Sequence, residues 1–495
     1  MKRPSRPEEH RPRPGHARRL LLCVVLAASG CAAEPSDPDV CAGLAFEADS
    51  VVLVMGDTIR RDRLASHGGG ARTPNLDRLA ASGARFDRVS APAPWTKPSI
   101  ATLFTGLPPW QHGALRHPQK HARSGEEQPT LEADVLRDEL VTMAERFQAA
   151  GFATGAFVSN PWLDRRFGFA QGFDTYDESF ARWDAPGPLV SSAALRWLRA
   201  RDADEPFFLY VHYLDAHRPY PNLPADAVRA RLPELNADAR PLSANAKRRI
   251  SEIVRIDGIP RWHAEGVRPT RALLEQAYDR GIEAFDQALG YLLDGVAELR
   301  DLSRVLVIVT SDHGEALYER GYGNHGNGLY EAELAIPMVI AGRGVPQGAQ
   351  ACMTGLEDLL PTLCEGMSLD CPGALPGRSL LRERRAGTRV LVGAGVTARP
   401  RNRMARDARH KLIFEPDGSL AGTSPKKPYS LFDLEEDPEE QHDLLDDPAA
   451  RETLAPVVER LRTAVAAAAG EATPSESKPL DAELQDRLEA LGYLE

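Results

Sequence analysis

Three stretches of the chain end an apolar run in Asp or His. Residues 51–55 (VVLVM) lead into Gly56-Asp57-Thr58. Residues 206–211 (PFFLYV) lead into His212, Asp215 and His217. Residues 305–309 (VLVIV) lead into Asp312, His313 and Glu315. One Asp or His at a strand end is ordinary polar punctuation. Three sets at equivalent places predict a shared metal site. Mixed carboxylate and imidazole ligands suit zinc, manganese or iron better than calcium, and one or two divalent ions are expected. A fourth stretch, residues 95–106 (WTKPSIATLFTG), reads as a helix with Pro98 in its first turn and Gly106 at its end. Thr96 then stands just before a helix N-terminus, where N–H groups favour an anion. Alone this is a capped helix. Beside a metal, the Thr96 hydroxyl can ionise and attack. The Lys97 amide is a candidate donor to a developing negative oxygen.

The elements that must position these residues follow from periodicity. The three apolar runs suit strands buried on both faces. Residues 272–296 place Leu274, Ala277, Ile282, Phe285, Leu289, Leu292, Leu293 and Val296 on one helical stripe. Residues 73–83 open with Thr73-Pro74 and close at Gly83, the pattern of an N-cap, a first-turn Pro and a C-terminal Gly. Strands alternating with helices predict an α/β fold with a large, mostly parallel sheet flanked by helices. Such sheets bind ligands beyond the carboxyl ends of their strands.

The chain has 495 residues and a net charge of −11. Residues 1–30 carry seven Lys/Arg against Glu8 and Glu9, a net of +5, so the remainder stands at −16. An acidic body argues against general nucleic-acid binding. No apolar run reaches the roughly 18 residues of a membrane span. The basic start, the apolar run 20–28 and Ala28-Ser29-Gly30-Cys31 have the order of an export signal (1–30), with Cys31 as a lipid-bearing first residue in the manner of bacterial lipoproteins. One lipid tethers a protein to a membrane without spanning it. Residues 31–45 then form a tether, and the protein is expected in the bacterial cell envelope. In an exported chain the cysteines beyond Cys31 can pair, with Cys364–Cys371 and Cys41–Cys352 as one arrangement.

Taken in order, the segments DTIRRDRL (57–64), TPNLDRLAASGARF (73–86), WTKPSIATLFTGLPPWQHG (95–113), PFFLYVHYLDAHRPY (206–220), VIVTSDHGEALYERGYGNHGNGLYEAELAIPMVIAG (307–342) and LFDLEEDPEE (431–440) resemble the sulfatase family of the alkaline phosphatase superfamily. The resemblance implies a catalytic domain over 46–385 and a small C-terminal α+β subdomain over 386–495. The C-terminal part would have strands within 411–434, a loop at 416–428 and a helix over 449–468. It also implies roles. Asp57, Asp312 and His313 match metal ligands, and Thr96 matches the nucleophile and a further ligand. His217 matches a His at the substrate or second-metal edge. His325 matches a second-metal His of the phospho-transferring relatives. Asp215 is a weaker candidate, Asn160 a possible contact to a non-bridging oxygen, and His112 a structural residue.

The chain departs from the sulfatase pattern in a consistent way. Sulfatases carry C-x-P-x-R or S-x-P-x-R, whose first residue becomes formylglycine. Here Thr96 and Ile100 take the first and last places. Thr58 replaces the usual second Asp, and Ser159 and Pro161 stand where a Lys and a His are usual. A threonine sulfate has no aldehyde through which to expel sulfate, whereas a phosphothreonine can be attacked at phosphorus. The expectation is an anionic-ester hydrolase leaning to phosphoester chemistry. The alternatives are a true sulfatase without formylglycine and an inactive, lipid-anchored binding protein. The polar insertion 221–270, with Lys247-Arg248-Arg249, is either a substrate-selecting lid or a solvated excursion.

Overall fold

The computed structural model describes residues 43–490, apart from 117–118, 122–129, 182–184, 261–265, 372, 383–388, 396–401, 417–426 and 471–472. The expected export signal, Cys31, Cys41 and its pairing, most of the tether and the boundary near 385 lie outside the described residues. Among the described residues no helix is long and apolar enough to cross a membrane.

The strand β1 (Ser50–Gly56) is buried along its whole length. Its side chains alternate: Val51, Leu53 and Met55 enter one apolar cluster, Val52 and Val54 the other. That is why this strand reads as a continuous apolar run. Seven more strands complete the sheet: β2 (Ala84–Ser90), β3 (Ala153–Val158), β4 (Thr175–Asp177), β5 (Phe207–Tyr213), β6 (Val305–Ser311), β7 (Ala335–Ala341) and β8 (Gly348–Gly355). Their order is β8-β2-β7-β6-β1-β5-β3-β4. Only β7 runs antiparallel to its neighbours, so the sheet is mostly parallel as expected. Register carries the functional consequence. Gly56 pairs with Tyr213 on one side and Ser311 on the other, so three strands end in step and release Asp57, Leu214 and Asp312 at one edge.

Helices cover both faces. The helix α1 (Pro74–Ser82) has Pro in its first turn as predicted, but Thr73 makes no side-chain cap. The Asp286 carboxylate, from the long helix that packs beside it, accepts from the Asn75 and Leu76 amides at 3.1 and 2.8 Å. Helix α2 (Thr96–Thr105) is buried at every residue, and Gly106 follows it with φ 68°. Thr96 is its first residue, one place further in than predicted. Helix α3 (Gly187–Arg199) lies on the other face with the 29-residue α6 (Arg271–Leu299). The predicted stripe of α6 is buried: Leu274, Ile282, Phe285, Leu289 and Leu292 are at most 1% exposed. Each such side chain contributes about 1.5–3 kcal/mol on burial.

The insertion 221–270 is packed rather than a loose excursion. It forms helices α4 (Ala225–Ala237) and α5 (Ala244–Ile253) and a short ribbon, Arg255–Ile256 with Ile259–Pro260. Val228, Leu235, Ile250, Val254 and Ile256 join the same apolar cluster as α6.

The C-terminal part is a four-stranded antiparallel sheet, β9 (Leu391–Ala394), β10 (Arg403–Arg406), β11 (His410–Phe414) and β12 (Tyr429–Asp433), with helix α7 (Ala455–Gly470). Strict alternation assigns its two faces. Ala405, Leu412 and Leu431 pack on Leu461 and Val465 of α7, while Met404, Ile413 and Phe432 join the main core. The helix begins six residues later than predicted, after a short helix Pro448–Thr453. Cys364 and Cys371 are disulfide-bonded, as expected from their spacing.

Candidate active site

Asp57, the residue after β1, is fully buried. Its Oδ2 accepts from Asn160 Nδ2 at 2.6 Å and His212 Nε2 at 3.0 Å, with Thr96 Oγ1 at 3.4 Å. Its Oδ1 is buried without a hydrogen-bond partner. Thr58 next to it has φ 59°, an unusual conformation for a β-branched residue. That turn aims the Thr58 amide at Asp312 Oδ1, 3.1 Å away. Asp312 Oδ1 also accepts from the His313 amide at 2.9 Å, and its Oδ2 is buried without a partner. His313 Nδ1–H donates to the Gly314 carbonyl at 2.8 Å, which leaves Nε2 as the acceptor nitrogen, 3.3 Å from Thr96 Oγ1.

Ligand atoms of Asp57, Asp312 and His313 lie within 4.8 Å of one another, all buried. Two carboxylates in a dry site repel each other. Burial, and then the neighbouring Asp57 charge, push the Asp312 carboxyl up. Burial opposes ionisation of Asp57 too, but the His212 hydrogen bond and the surrounding imidazoles outweigh it and hold Asp57 below the ordinary range. Two unpartnered buried carboxylate oxygens beside an imidazole acceptor fit a divalent cation. It would supply the positive charge that the folded chain withholds.

Thr96 is where the helix start and the metal edge meet. Its Oγ1 has Asp57, His313 and Asn160 around it, the last at 3.2 Å. Asn160 is locked by accepting from the Trp162 amide through Oδ1 at 2.9 Å, so its Nδ2 must point at Thr96 and Asp57. It therefore orients these two residues, a use not foreseen from sequence. The Lys97 side chain leaves the site altogether. Its ammonium lies over the rings of Trp95, Trp162 and Phe167 at 5.2, 5.3 and 4.9 Å and donates to the Asp134 carbonyl at 2.6 Å. Burial pushes it down to about 7. Only the Lys97 amide remains for the expected role, on the first turn of α2, where amides have no intrahelical acceptor.

His217 and His325 reach the same edge, their ring centroids 5.1 Å apart and His325 4.6 Å from His313. Neither belongs to the compact ligand group found among the described residues. His325 Nδ1 pairs with Glu315 Oε2 at 3.2 Å, and His217 Nδ1–H donates to the Arg218 carbonyl at 2.5 Å. Burial lowers His217 to about 4, so it is a neutral imidazole with Nε2 as its acceptor. Asp215 turns away and accepts from the Gly187 amide at 3.0 Å, where it serves the start of α3. His112 is structural as expected: Nε2–H faces the Pro98 carbonyl at 3.1 Å and Nδ1 accepts from the Ala114 amide.

His212 and Glu315 stand at the strand ends that the sequence marks, but sequence reasoning gave neither of them a role of its own in the site. In β5, Phe208 and Tyr210 face the α2 side of the sheet, so a period of two puts His212 there as well. Tyr210 O–H donates to His212 Nδ1 at 2.9 Å, which fixes Nε2–H toward Asp57.

Beside the turn that follows Asp312 and His313 lies a further buried acid, Glu333. Its carbonyl accepts from the Gly314 amide at 2.7 Å, and its carboxyl takes the Tyr322 hydroxyl at 2.6 Å. Burial pushes this carboxyl up from 4.5 to about 8. The folded state therefore binds a proton that the unfolded state releases, and stability falls as pH rises from about 4.5 to about 8. Glu333→Gln keeps the shape and removes the titration. Denaturant melts at acidic and alkaline pH should show the wild type losing up to about 5 kcal/mol relative to the variant across that window. Parallel profiles would contradict this.

The geometry agrees with comparison to known proteins. The family model described as Sulfatase matches residues 49–368. An arylsulfatase of Clostridium perfringens is 22% identical over 471 residues, covering 82% of this chain and 92% of its own length. The multifunctional alkaline phosphatase superfamily protein PehA of Trinickia caryophylli is 28% identical over 380 residues, covering 63% and 71%. The phosphonate monoester hydrolase of Agrobacterium radiobacter has a similar fold, with TM-score 0.60 and 21% identity over 84% of this chain and 96% of that one. So does a protein solved in complex with its substrate D-glucosamine-2-N,6-O-disulfate, with TM-score 0.63 and 16% identity over 85% and 97%. The chain belongs to the sulfatase family and is an ester hydrolase.

Proposed function

We propose that this chain hydrolyses an anionic ester through Thr96, and that its chemistry is that of a phosphoester or phosphonate hydrolase. One observation carries the reading: Thr96 Oγ1 is held at the start of a buried helix, 3.4 Å from Asp57, 3.3 Å from His313 and 3.2 Å from Asn160. Ile100, fully buried, stands where a formylglycine site would have its Arg. A divalent ion held by Asp57, Asp312 and His313, with zinc, manganese or iron suited to that set, would favour the alkoxide of Thr96 and neutralise the ester. Thr96 Oγ, its proton passed to solvent, bonds to phosphorus as the bond from phosphorus to the alcohol oxygen breaks, and the alcohol departs on the opposite side, taking a proton from water. Asp57 and Asn160 hold Thr96 in line. The Lys97 amide, on the first turn of α2, donates to a non-bridging oxygen. His217 Nε2 then takes the proton of the water that cleaves the threonine ester. The relatives support the choice of chemistry, since a phosphonate monoester hydrolase and a multifunctional alkaline phosphatase superfamily protein stand among them beside sulfatases.

The test is a panel of one aryl alcohol as its sulfate, phosphate monoester, phosphate diester and phosphonate monoester. Phosphorus esters should exceed the sulfate in kcat/KM by about 100-fold or more, because only they offer threonine ester cleavage at the central atom. Sulfate hydrolysis with no phosphorus activity would replace this reading with that of a sulfatase lacking formylglycine. An export signal and a lipid on Cys31, placing the enzyme in the cell envelope, belong to the same proposal and rest on the order of residues in 1–31.

A further inference from the structure

Beside the catalytic residues, and lined by none of them, lies a cavity of about 550 Å³. Arg60, Arg61, Ala316, Arg320 and Ala332 form one wall, and Ala408, Leu434 and Pro438 of the C-terminal part another. A space of this size takes a small organic molecule. Asp62, Glu435 and Glu439, which also line it, are exposed, so it opens to solvent. It backs onto the metal loop. A Cβ on Gly314, next to His313, would meet the Ala332 carbonyl oxygen at 2.2 Å and Arg60 Cγ at 3.0 Å. Arg60 also donates to the Glu315 carbonyl at 2.8 Å.

The charges of the wall are unevenly matched. Every acid that lines the cavity already has a cation. Asp62 and Glu319 hold Arg60 at 2.7 and 2.5 Å, Asp87 holds Arg85 at 2.7 Å, and Glu331 holds Arg406 at 2.7 Å. Glu435 holds Arg88 at 3.5 Å, Glu439 holds Arg271 at 3.4 Å, and Glu440 holds Lys411 at 2.7 Å. Arg61 and Arg320 line the same space, and among the described residues neither forms an ion pair with a carboxylate. Each donates to a backbone carbonyl instead, Arg61 to that of Asp87 and Arg320 to that of Glu440. Burial raises the Glu331 carboxyl, but Arg406, Lys411 and then Arg61 outweigh it and hold it at about 2. Arg61 is thus a third cation around one carboxylate, which cannot neutralise it. Arg320 lies over the Tyr330 ring, 4.2 Å from its centroid. Its Nε and the Tyr330 hydroxyl are both buried without a hydrogen-bond partner, and Tyr330 is 1% exposed. Buried donors without acceptors are costly, and an acceptor on a ligand removes the cost.

We propose that this cavity is a separate ligand site that binds a small carboxylate with an apolar body. Arg61, Arg320 and the Tyr330 hydroxyl take the carboxylate, and Ala316, Ala332, Ala408, Leu434 and Pro438 take the body. A guanidinium offers a carboxylate two parallel N–H donors. The paired acids nearby disfavour a dianion, so a monoanion fits best. The site goes beyond the hydrolytic reading and does not depend on it.

Calorimetric titration of the whole enzyme with cinnamate and with its neutral amide tests the proposal. Cinnamate should bind with a dissociation constant of about 1 mM or tighter, and cinnamamide about tenfold more weakly or worse. Arg61→Gln and Arg320→Gln should each weaken cinnamate about tenfold and leave the amide nearly unchanged. Arg320→Lys should keep part of the affinity through charge alone. Ala408→Trp, on the turn between β10 and β11, fills the space without removing an arginine and should abolish binding of both compounds. Cinnamate binding should persist in chelator-stripped protein, since Asp57, Asp312 and His313 do not line the cavity. Equal binding of cinnamate and cinnamamide overturns the proposal, and so does the absence of cinnamate binding. Cinnamate binding that requires the metal and survives Ala408→Trp belongs to the catalytic centre and overturns it as well.

Discussion

Thr96→Ala should reduce turnover of every active ester by about 10,000-fold or more, equivalent to roughly 5.5 kcal/mol of barrier. The size follows from what is lost. The hydroxyl is the group that would bond to the ester's central atom, and the neighbours that hold it, Asp57, His313 and Asn160, have no second nucleophile to present. What remains after the substitution is binding and charge neutralisation, which sustain only a small residual rate. The fold should tolerate the change, because Ala is a good first-turn residue and α2 keeps its buried side. Metal content should stay near the wild-type level, since Asp57, Asp312 and His313 are untouched. Thr96→Ser should keep much of the activity, and enzyme quenched during turnover should carry the ester's phosphoryl or phosphonyl group on the peptide containing Thr96. Undiminished turnover in Thr96→Ala would refute a threonine nucleophile, and retained metal with lost activity separates this cause from collapse of the site.

The parts of this site that were legible in the sequence are those set by a single stretch of chain. Apolar runs ending in Asp57, Asp312 and His313 read as strand ends because both faces of β1 and β6 are buried. Cys364–Cys371 was legible because the two stand only seven positions apart in the chain. What was hidden depends on residues far apart in sequence. The cap of α1 comes from Asp286, 211 residues from Asn75, while Thr73 only occupies the expected place. The sequence offers the Lys97 amide to the site but does not say where its side chain goes, which is decided by Trp95, Trp162 and Phe167 packing around the ammonium. Asn160 reads as a substrate contact until the Trp162 amide fixes its orientation. Whether the insertion packs was also undecidable locally, because Val228, Leu235 and Ile250 are scattered among charges and prove apolar only against the main body. His212 is the exception: the alternation Phe208, Tyr210, His212 contained its position.

The same cluster that makes the site reactive should make the metal-free protein less stable than a variant that cannot work. Asp57 and Asp312 are both fully buried, and each leaves one oxygen without a partner. In chelator-stripped protein this pair stores repulsion and desolvation that no cation offsets. Returning the metal should therefore raise the melting temperature, with a gain of about 2.7 kcal/mol at a hundredfold excess over Kd. Asp312→Asn should behave oppositely. Its Oδ1 can still accept from the Thr58 and His313 amides, and its new amide group can donate toward Asp57. Stripped Asp312→Asn should exceed stripped wild type by about 1–3 kcal/mol, gain little from added metal and show no turnover. The gap has a defined pH dependence. Burial and the Asp57 charge hold Asp312 above its unfolded value, so this group's contribution to the stripped wild type is fully present below the unfolded pKa and is lost as pH rises through the folded one. The Asn variant lacks that titration, so its advantage should widen toward neutral pH. Equal stability of the two stripped proteins at every pH would mean that the carboxylates are relieved by something other than a metal, and the assignment of Asp57, Asp312 and His313 as its ligands would lose its physical basis.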